Sequence, residues 1–207
     1  RKEGKTKNVY LVGDPMFDAF EFYRKKVVDT VQEELIGLQD ETLELPAEYY
    51  YMTCHRQENT GTDDALVEIL SAANSLDAPC IYPVHPRNLK RAVRLKDEHG
   101  FENVILCKPV GYLMSVYLTL HAKKIITDSG GLQREAFFAE KQCVTVFNYV
   151  VWPETMIDNR NQLAKADRND ILEKLNCRQV ISEKEKPFGD GHSAEKIVEL
   201  ISAYEKR

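Results

Sequence analysis

Three clusters of polar residues each follow a short apolar run, and their side chains suit the binding of an anionic ligand. The sequence TCHRQEN occupies positions 53–59, HPRN occupies 85–88 and DSGG occupies 128–131. Arginine presents a planar fork to phosphate or carboxylate, and histidine titrates near about pH 6.5, so it can carry a proton beside a leaving group. Together the clusters predict a site for a phosphorylated ligand.

The third cluster has the features of a phosphate-binding turn. Ser129, Gly130 and Gly131 stand at a predicted strand-to-helix junction, where backbone N–H groups and the helix dipole attract anions. Glu135 follows about 8 Å from the helix start at 1.5 Å per residue, a distance that suits hydrogen bonds to a ribose diol. This spacing describes a nucleotide lying along the helix, and the alternative is a plain tight turn with a surface glutamate.

The first two clusters supply candidate cations. His55 and Arg56 are adjacent, so their side chains point apart and we expect only one of them to face the catalytic cleft. Glu58 could orient either of them, and His85 follows the next strand in a similar position. The spacing of cysteine and histidine residues fits no zinc pattern, so we expect no metal site.

The elements that must position these clusters alternate along the chain. Apolar runs predict strands at 8–12, 49–53, 80–84, 104–106, 124–127 and 143–147. Helical spacing of apolar residues predicts helices at 63–75, 87–99, 111–121, 130–139 and near 192–206. This alternation predicts an α/β fold with a doubly wound parallel sheet, in which ligands bind at the carboxyl ends of the strands. A long helix over 16–35 precedes an acidic loop, so we interpret 1–45 as a connector with a leading strand and helix, and 46–207 as the nucleotide-binding domain.

Composition excludes several classes of protein. The 207 residues are 43% hydrophobic and 29% charged, as in ordinary globular proteins. The net charge of −5 argues against a nucleic-acid partner, and no apolar run approaches the roughly 18 residues of a membrane span. Five cysteines without a CxxC pair indicate reduced thiols in a cytoplasmic protein. The chain has no initiator Met, so we expect it to be a fragment of a longer protein.

Four motifs in this order closely resemble those of the non-hydrolysing UDP-N-acetylglucosamine 2-epimerase family. They are TCHRQEN at 53–59, YPVHP at 82–86, TDSGGLQREA at 127–136 and FGDG at 188–191. The resemblance implies a Rossmann-like doubly wound sheet that forms the C-terminal half of a two-domain GT-B fold. It also implies an isomerase that needs no cofactor, serves cell-surface polysaccharide biosynthesis and is a homodimer at full length. UDP would be eliminated from UDP-GlcNAc and added back to give UDP-ManNAc.

The resemblance also implies roles for individual residues. The turn at 129–131 would hold the diphosphate, Glu135 the ribose, and His55 would be the catalytic histidine. The acids that move the proton at C2 belong to the N-terminal domain of the same polypeptide, so we expect this fragment alone to be inactive. Positions that bind a second, activating UDP-sugar in some bacterial members match Arg56, Glu58 and His85.

Two departures from the family pattern keep alternatives open. Ser115 stands where an aromatic residue often stacks on uracil, and Trp152 precedes Pro-Glu where a basic residue is frequent. The stretch GLQREAFF followed by a Trp resembles the branch that acts on UDP-2,3-diacetamido-glucuronate. A GT-B glycosyltransferase and a non-catalytic nucleotide-binding module are further alternatives. A carboxylate-bearing sugar would require an extra cation, for which the candidates are Arg87, Arg134 and Arg160.

Overall fold

A six-stranded parallel β-sheet lies at the centre of the fold, with helices on both faces. The computed structural model describes residues 7–27, 29–31, 33–180 and 186–205. A small antiparallel pair, β1 (Leu35–Ile36) and β2 (Thr42–Leu43), precedes the main sheet. The main strands are β3 (Tyr50–Thr53), β4 (Cys80–Pro83), β5 (Val104–Cys107), β6 (Ile125–Thr127), β7 (Cys143–Val146) and β8 (Asn161–Ala164). The helices are α1 (Pro15–Val27), α2 (Gln57–Thr60), α3 (Asp63–Asn74), α4 (Leu89–His99), α5 (Tyr112–His121), α6 (Gly130–Phe138), α7 (Arg168–Asn176) and α8 (Ser193–Glu205), and a 3-10 helix spans Pro153–Asn159.

The order of the strands confirms the predicted doubly wound topology. The sheet runs β5-β4-β3-β6-β7-β8, and every pair in it is parallel. The winding reverses between β3 and β6, which is where such sheets open a crevice for ligands. Thr53 is in register with Thr127, and their hydroxyl oxygens are 2.7 Å apart. The chain segments that follow these two strands therefore begin side by side.

Both faces of the sheet are covered by apolar side chains from the helices. Met52 of β3 packs with Leu66 of α3 on one face, while Ile125 of β6 packs with Leu118 of α5 on the other. Burial on both sides explains why the strands are nearly all apolar instead of alternating with polar residues.

The first helix is shorter than the sequence predicts. The expected helix over 16–35 ends at Val27, and Leu35–Ile36 pairs with β2 as a strand. The stretch 27–31 contains three valines or threonines among its described residues, and β-branched side chains disfavour helix. Helix α1 packs against α5 and α6, and the rings of Phe17 and Phe138 lie 4.9 Å apart.

Two further differences concern the edges of the fold. The predicted strand at 8–12 has no regular structure, and Leu11 within it is 93% exposed; the segment lies beside α8 and pairs with none of the described strands. The sequence pattern does not predict strand β8 or helix α7. Strand β8 lacks the apolar pattern of the other strands because Asn161 and Gln162 make half of it polar.

The cysteines lie where their apolar surroundings predict. Cys54, Cys80, Cys107 and Cys143 are buried and Cys177 is half-buried. Burial raises the pKa of the Cys107 thiol to about 12, so that thiol is unreactive at neutral pH. Among the described residues, no helix has the length and apolar character needed to cross a membrane.

Candidate nucleotide-binding site

Asp128 organises the carboxyl edge of the sheet at the switch point. Its carboxylate is fully buried and accepts hydrogen bonds from the backbone N–H of His55 at 2.9 Å and of Arg56 at 2.8 Å. The side-chain amide of Asn59 donates to the same carboxylate at 3.2 Å and to the carbonyl of Val146 at 2.9 Å. These bonds fix the 54–59 segment against the start of the 128–131 turn.

His55 and Arg56 are held in different directions, as the sequence predicts. The Nδ1 atom of His55 lies 3.2 Å from Oδ1 of Asp128, and nearly half of the His55 side chain is exposed on the crevice. The Arg56 Nε–H donates to the carbonyl oxygen of Asp128 at 2.7 Å, and its guanidinium lies 4.0 Å from the centre of the Phe147 ring. The His55 imidazole is therefore exposed on the crevice, while Arg56 is anchored to the protein through its Nε and its ring contact.

The tip of α6 has the geometry expected of an anion-binding turn. Ser129 is the N-cap residue, and its hydroxyl oxygen accepts from the N–H groups of Gly131 and Leu132 at 3.3 Å each. Both of these bonds are long, so an anion could displace the hydroxyl as their acceptor. The N–H of Ser129 itself donates to Thr127 at 2.9 Å, which ties the turn to the end of β6.

Glu135 is more enclosed than a surface glutamate. It is 6% exposed, and the phenol of Tyr112 donates a hydrogen bond to its carboxylate. Burial raises the pKa of Glu135, while the hydrogen bond from Tyr112 and the charge of Arg134 lower it in part. Tyr112 is itself 42% exposed, so the Tyr112–Glu135 pair lies at the protein surface beside α6.

A small pocket of about 190 Å³ opens at the ends of β3 and β4. Tyr51 and Ser115 form part of its lining, and their hydroxyl groups are hydrogen-bonded at 2.9 Å. His55 and His85 stand at the same pocket, and His85 accepts the N–H of Arg87 at 3.2 Å. The structure therefore brings together the clusters that follow β3 and β4.

The remaining predicted side chains lie outside the lining of this pocket. Glu58 lies exposed on α2, and Arg87 is exposed at the carboxyl edge of the sheet. Arg134 pairs with Asp14 at 2.7 Å. Arg160 precedes β8, which places it at the opposite edge of the sheet from the switch point. Among the three candidate cations, only Arg87 stands open at the edge where the clusters meet.

Asp128, Asn59 and Tyr112 are site residues that sequence reasoning did not assign. The sequence shows that Asp128 is the first residue after β6. Its burial can be inferred only when β3 and β6 are known to be neighbouring strands. The sequence does not indicate a role for Tyr112, because its contact with Glu135 depends on how α5 packs beside α6. A parallel doubly wound sheet with helices on both faces defines a Rossmann-like α/β fold.

Comparison with known proteins identifies the family. The chain matches the model of the UDP-N-acetylglucosamine 2-epimerase family over residues 1–202, and it belongs to that family. A UDP-N-acetylglucosamine 2-epimerase homologue from Methanococcus maripaludis is 36% identical over 205 residues, which are 97% of this chain and 56% of the relative. The UDP-2,3-diacetamido-2,3-dideoxy-D-glucuronate 2-epimerase of Pseudomonas aeruginosa is 31% identical, over 97% of this chain and 54% of its own.

Solved structures agree with the fold. The UDP-GlcNAc 2-epimerase of Methanocaldococcus jannaschii, in complex with UDP-GlcNAc and UDP, superimposes with a TM-score of 0.78 at 26% identity. That match covers 98% of this chain and 57% of the solved chain. The matched epimerases have the two-domain GT-B fold, and this chain corresponds to the C-terminal half. The chain thus spans a little over half the length of the relatives it matches.

Proposed function

We propose that the protein to which this chain belongs is a non-hydrolysing UDP-sugar 2-epimerase that interconverts UDP-GlcNAc and UDP-ManNAc, with this chain as its nucleotide-binding half. The observation that carries the proposal is that His55 and the start of the turn at 129–131 meet at one switch point, in a member of this family. We further place the parent protein in the cytoplasm, as a homodimer.

The site can assist departure and return of the diphosphate. Elimination breaks the bond between C1 and the diphosphate oxygen, removes the proton at C2 and leaves a 2-acetamidoglucal with free UDP. Negative charge grows on the diphosphate, where the N–H groups of Gly131 and Leu132 and the positive end of α6 stabilise it. The exposed imidazole of His55 is oriented by Asp128 and can hold a proton beside that charge.

The other half of the reaction belongs to groups outside the site described above. Removal of the C2 proton and its return to the other face require an acid and a base, which we assign to the N-terminal domain of the parent. On this proposal the 207-residue chain binds UDP but does not epimerise a UDP-sugar. The ribose diol takes the place of the Tyr112 phenol on the Glu135 carboxylate.

A second candidate substrate has a specific observation in its favour. The Pseudomonas aeruginosa relative, whose name specifies a diacetamido-glucuronate, is nearly as similar as the N-acetylglucosamine enzymes. Arg87 stands exposed at the carboxyl edge of the sheet, two residues beyond His85, and is a cation that the carboxylate of a uronate could contact. An Arg87→Ala change in the parent should then weaken uronate binding and spare UDP-GlcNAc.

Calorimetry with UDP tests the nucleotide site on this chain alone. Glu135→Gln should weaken UDP about tenfold, because a charged acceptor for the ribose diol becomes a neutral amide. Glu140→Gln, just beyond the other end of the same helix, is the matched control and should leave the affinity unchanged. Equal affinities for the Glu135→Gln variant and the unaltered chain would exclude the proposed position of the ribose.

Turnover in deuterium oxide tests the reaction on the full-length parent. UDP-GlcNAc alone should be converted to its C2 epimer with solvent deuterium at C2. A glycosyltransferase would instead require an acceptor and leave C2 unlabelled. Epimer formation without deuterium would contradict the elimination mechanism.

A further inference from the structure

A cavity of about 450 Å³ opens at the end of α6 that lies away from the candidate nucleotide-binding site. Its lining includes Phe137 and Phe138 of the last turn of α6, Arg160 immediately before β8, and the segment 186–190. The turn at 129–131 begins the same helix, about 12 Å away along nine residues at 1.5 Å per residue. The cavity is therefore separate from the carboxyl edge of the sheet, and the proposed function does not use it.

Arg160 is a buried cation in the wall of this cavity. The residue is 5% exposed, and its Nη2 donates to the carbonyl of Phe137 at 3.2 Å, while its Nε is buried without a hydrogen-bond partner. Burial lowers the pKa of Arg160, and the charges of Glu140 and Asp158 offset that effect in part. Within the part of the chain that the structure describes, neither carboxylate forms an ion pair with the guanidinium. A buried charge without a close counter-ion is costly, so an anion bound beside Nε would be stabilised.

Phenylalanine rings form a continuous row along the same cavity. The ring centres of Phe17 and Phe138 are 4.9 Å apart. Phe188 lies 5.1 Å from Phe138 and 5.3 Å from Phe137, again between ring centres. The guanidinium of Arg160 lies 3.9 Å from the centre of the Phe137 ring, so the row ends at the cation. The cavity therefore offers an aromatic wall beside a buried positive charge.

The charged groups at the rim of the cavity favour a ligand with a single negative charge. Glu140 and Lys186 are both exposed there and carry opposite charges. Asp190 belongs to the same rim, and its carboxylate lies 2.7 Å from Nζ of Lys196. A dianion such as a phosphate monoester would be repelled by Glu140, whereas one carboxylate fits the planar fork of one guanidinium.

We propose that this cavity is a second ligand-binding site, which takes a small aromatic carboxylate whose carboxylate pairs with the Nε–H of Arg160 and whose ring packs against the phenylalanine row. A volume of about 450 Å³ lies within the range of small-molecule sites, which is roughly 300–1,000 Å³. The proposal goes beyond the proposed function and is independent of it, because it uses other residues at the opposite end of α6.

Nitrogen NMR of the arginine side chains tests the proposal on the 207-residue chain, with phenylacetate as the probe. One Nε–H resonance, the one that is missing from Arg160→Gln, should shift saturably at millimolar phenylacetate or below, as a ligand of this size allows. 2-Phenylethanol has the ring without the charge, and acetate has the charge without the ring. Each of these two should bind at least about tenfold more weakly than phenylacetate.

A pair of substitutions tests the role of Arg160 itself. Arg160→Gln should weaken phenylacetate about tenfold, because it removes the charged donor. Arg178→Gln is the matched control, since it removes the same charge from an exposed arginine, and it should bind phenylacetate as the unaltered chain does. Circular dichroism shows whether Arg160→Gln folds. If it does not fold, nuclear Overhauser effects between the phenylacetate ring and Phe188 locate the ligand in the unaltered chain, and their absence would contradict the proposal.

The outcomes separate this cavity from the nucleotide site. Saturating UDP should leave the midpoint of the phenylacetate titration unchanged, because the two sites lie at opposite ends of α6. Displacement of phenylacetate by UDP, equal binding of 2-phenylethanol, or equal binding by a folded Arg160→Gln variant would overturn the inference. The absence of any saturable shift would overturn it as well. If UDP itself does not bind, the proposed function fails, while the ligand series still decides the fate of the cavity.

Discussion

Replacing Asp128 with asparagine should disturb the site through its hydrogen bonds without changing its volume. The carboxylate accepts from the backbone N–H of His55 and of Arg56 and from the Asn59 amide, and all three are bonds to a charged acceptor. Such bonds contribute about 1.5–3 kcal/mol each, against about 1 kcal/mol for neutral ones. Asparagine also removes a buried charge and the desolvation cost of that charge, which offsets part of that loss. We expect Asp128→Asn to lower the free energy of unfolding by about 2 kcal/mol.

The same substitution should reverse the tautomer of His55. All three donors lie within 3.2 Å of Oδ2, so the amide oxygen of an asparagine should remain on that side. Its NH₂ group then replaces Oδ1, which lies 3.2 Å from Nδ1 of His55. Because an amide NH₂ only donates, Nδ1 must become the acceptor, and the proton of the neutral ring moves to Nε2. The atom that His55 presents to the crevice then changes from acceptor to donor.

Urea denaturation and nitrogen NMR of labelled histidine measure the two effects. Asp40→Asn is the matched control, because its carboxylate is exposed and its unfolding free energy should change by less than about 0.5 kcal/mol. The His55 nitrogens of Asp128→Asn should shift to the pattern of the Nε2–H tautomer. An unchanged unfolding midpoint together with an unchanged His55 spectrum would refute the view that Asp128 holds this loop and ring.

Three further outcomes follow from the structure. Burial raises the pKa of Glu135, so the folded chain loses stability as pH rises through that pKa. The unfolding free energy of Glu135→Gln, measured relative to the unaltered chain in urea titrations, should therefore increase from pH 4 to 7, and a flat difference would contradict this. Ser129→Ala should cost about 1 kcal/mol by removing the N-cap, whereas Ser129→Gly should cost only a few tenths, as thermal melts can show. Tyr82→Phe should cost about 1–2 kcal/mol, because the carbonyl of Cys54 loses a buried donor at 2.7 Å; a melt identical to the unaltered chain would refute this.

The parts of the fold that the sequence predicts are those governed by local patterns. Short apolar runs bounded by turns predict β3 to β7, because a strand covered on both faces has no polar side. Strand β8 escapes that pattern, since Asn161 serves the buried network beside Gln133 and not the apolar core. The segment 8–12 has the pattern of a strand, yet whether it joins a sheet depends on a neighbouring edge, which its own residues do not encode.

The site shows the same division between local and non-local information. The turn at 129–131 can be predicted from the sequence, because serine and glycine at the start of a helix are local signals. The hydrogen-bond partners of His55 and Glu135 cannot be predicted from the sequence, because Asp128 lies 73 residues from His55 and Tyr112 lies on another helix than Glu135. What joins these positions is the register of β3 with β6, which sets Thr53 beside Thr127. A shift of that pairing by one residue would turn Asp128 away from the loop after β3, so the sheet register specifies the site as much as the motifs do.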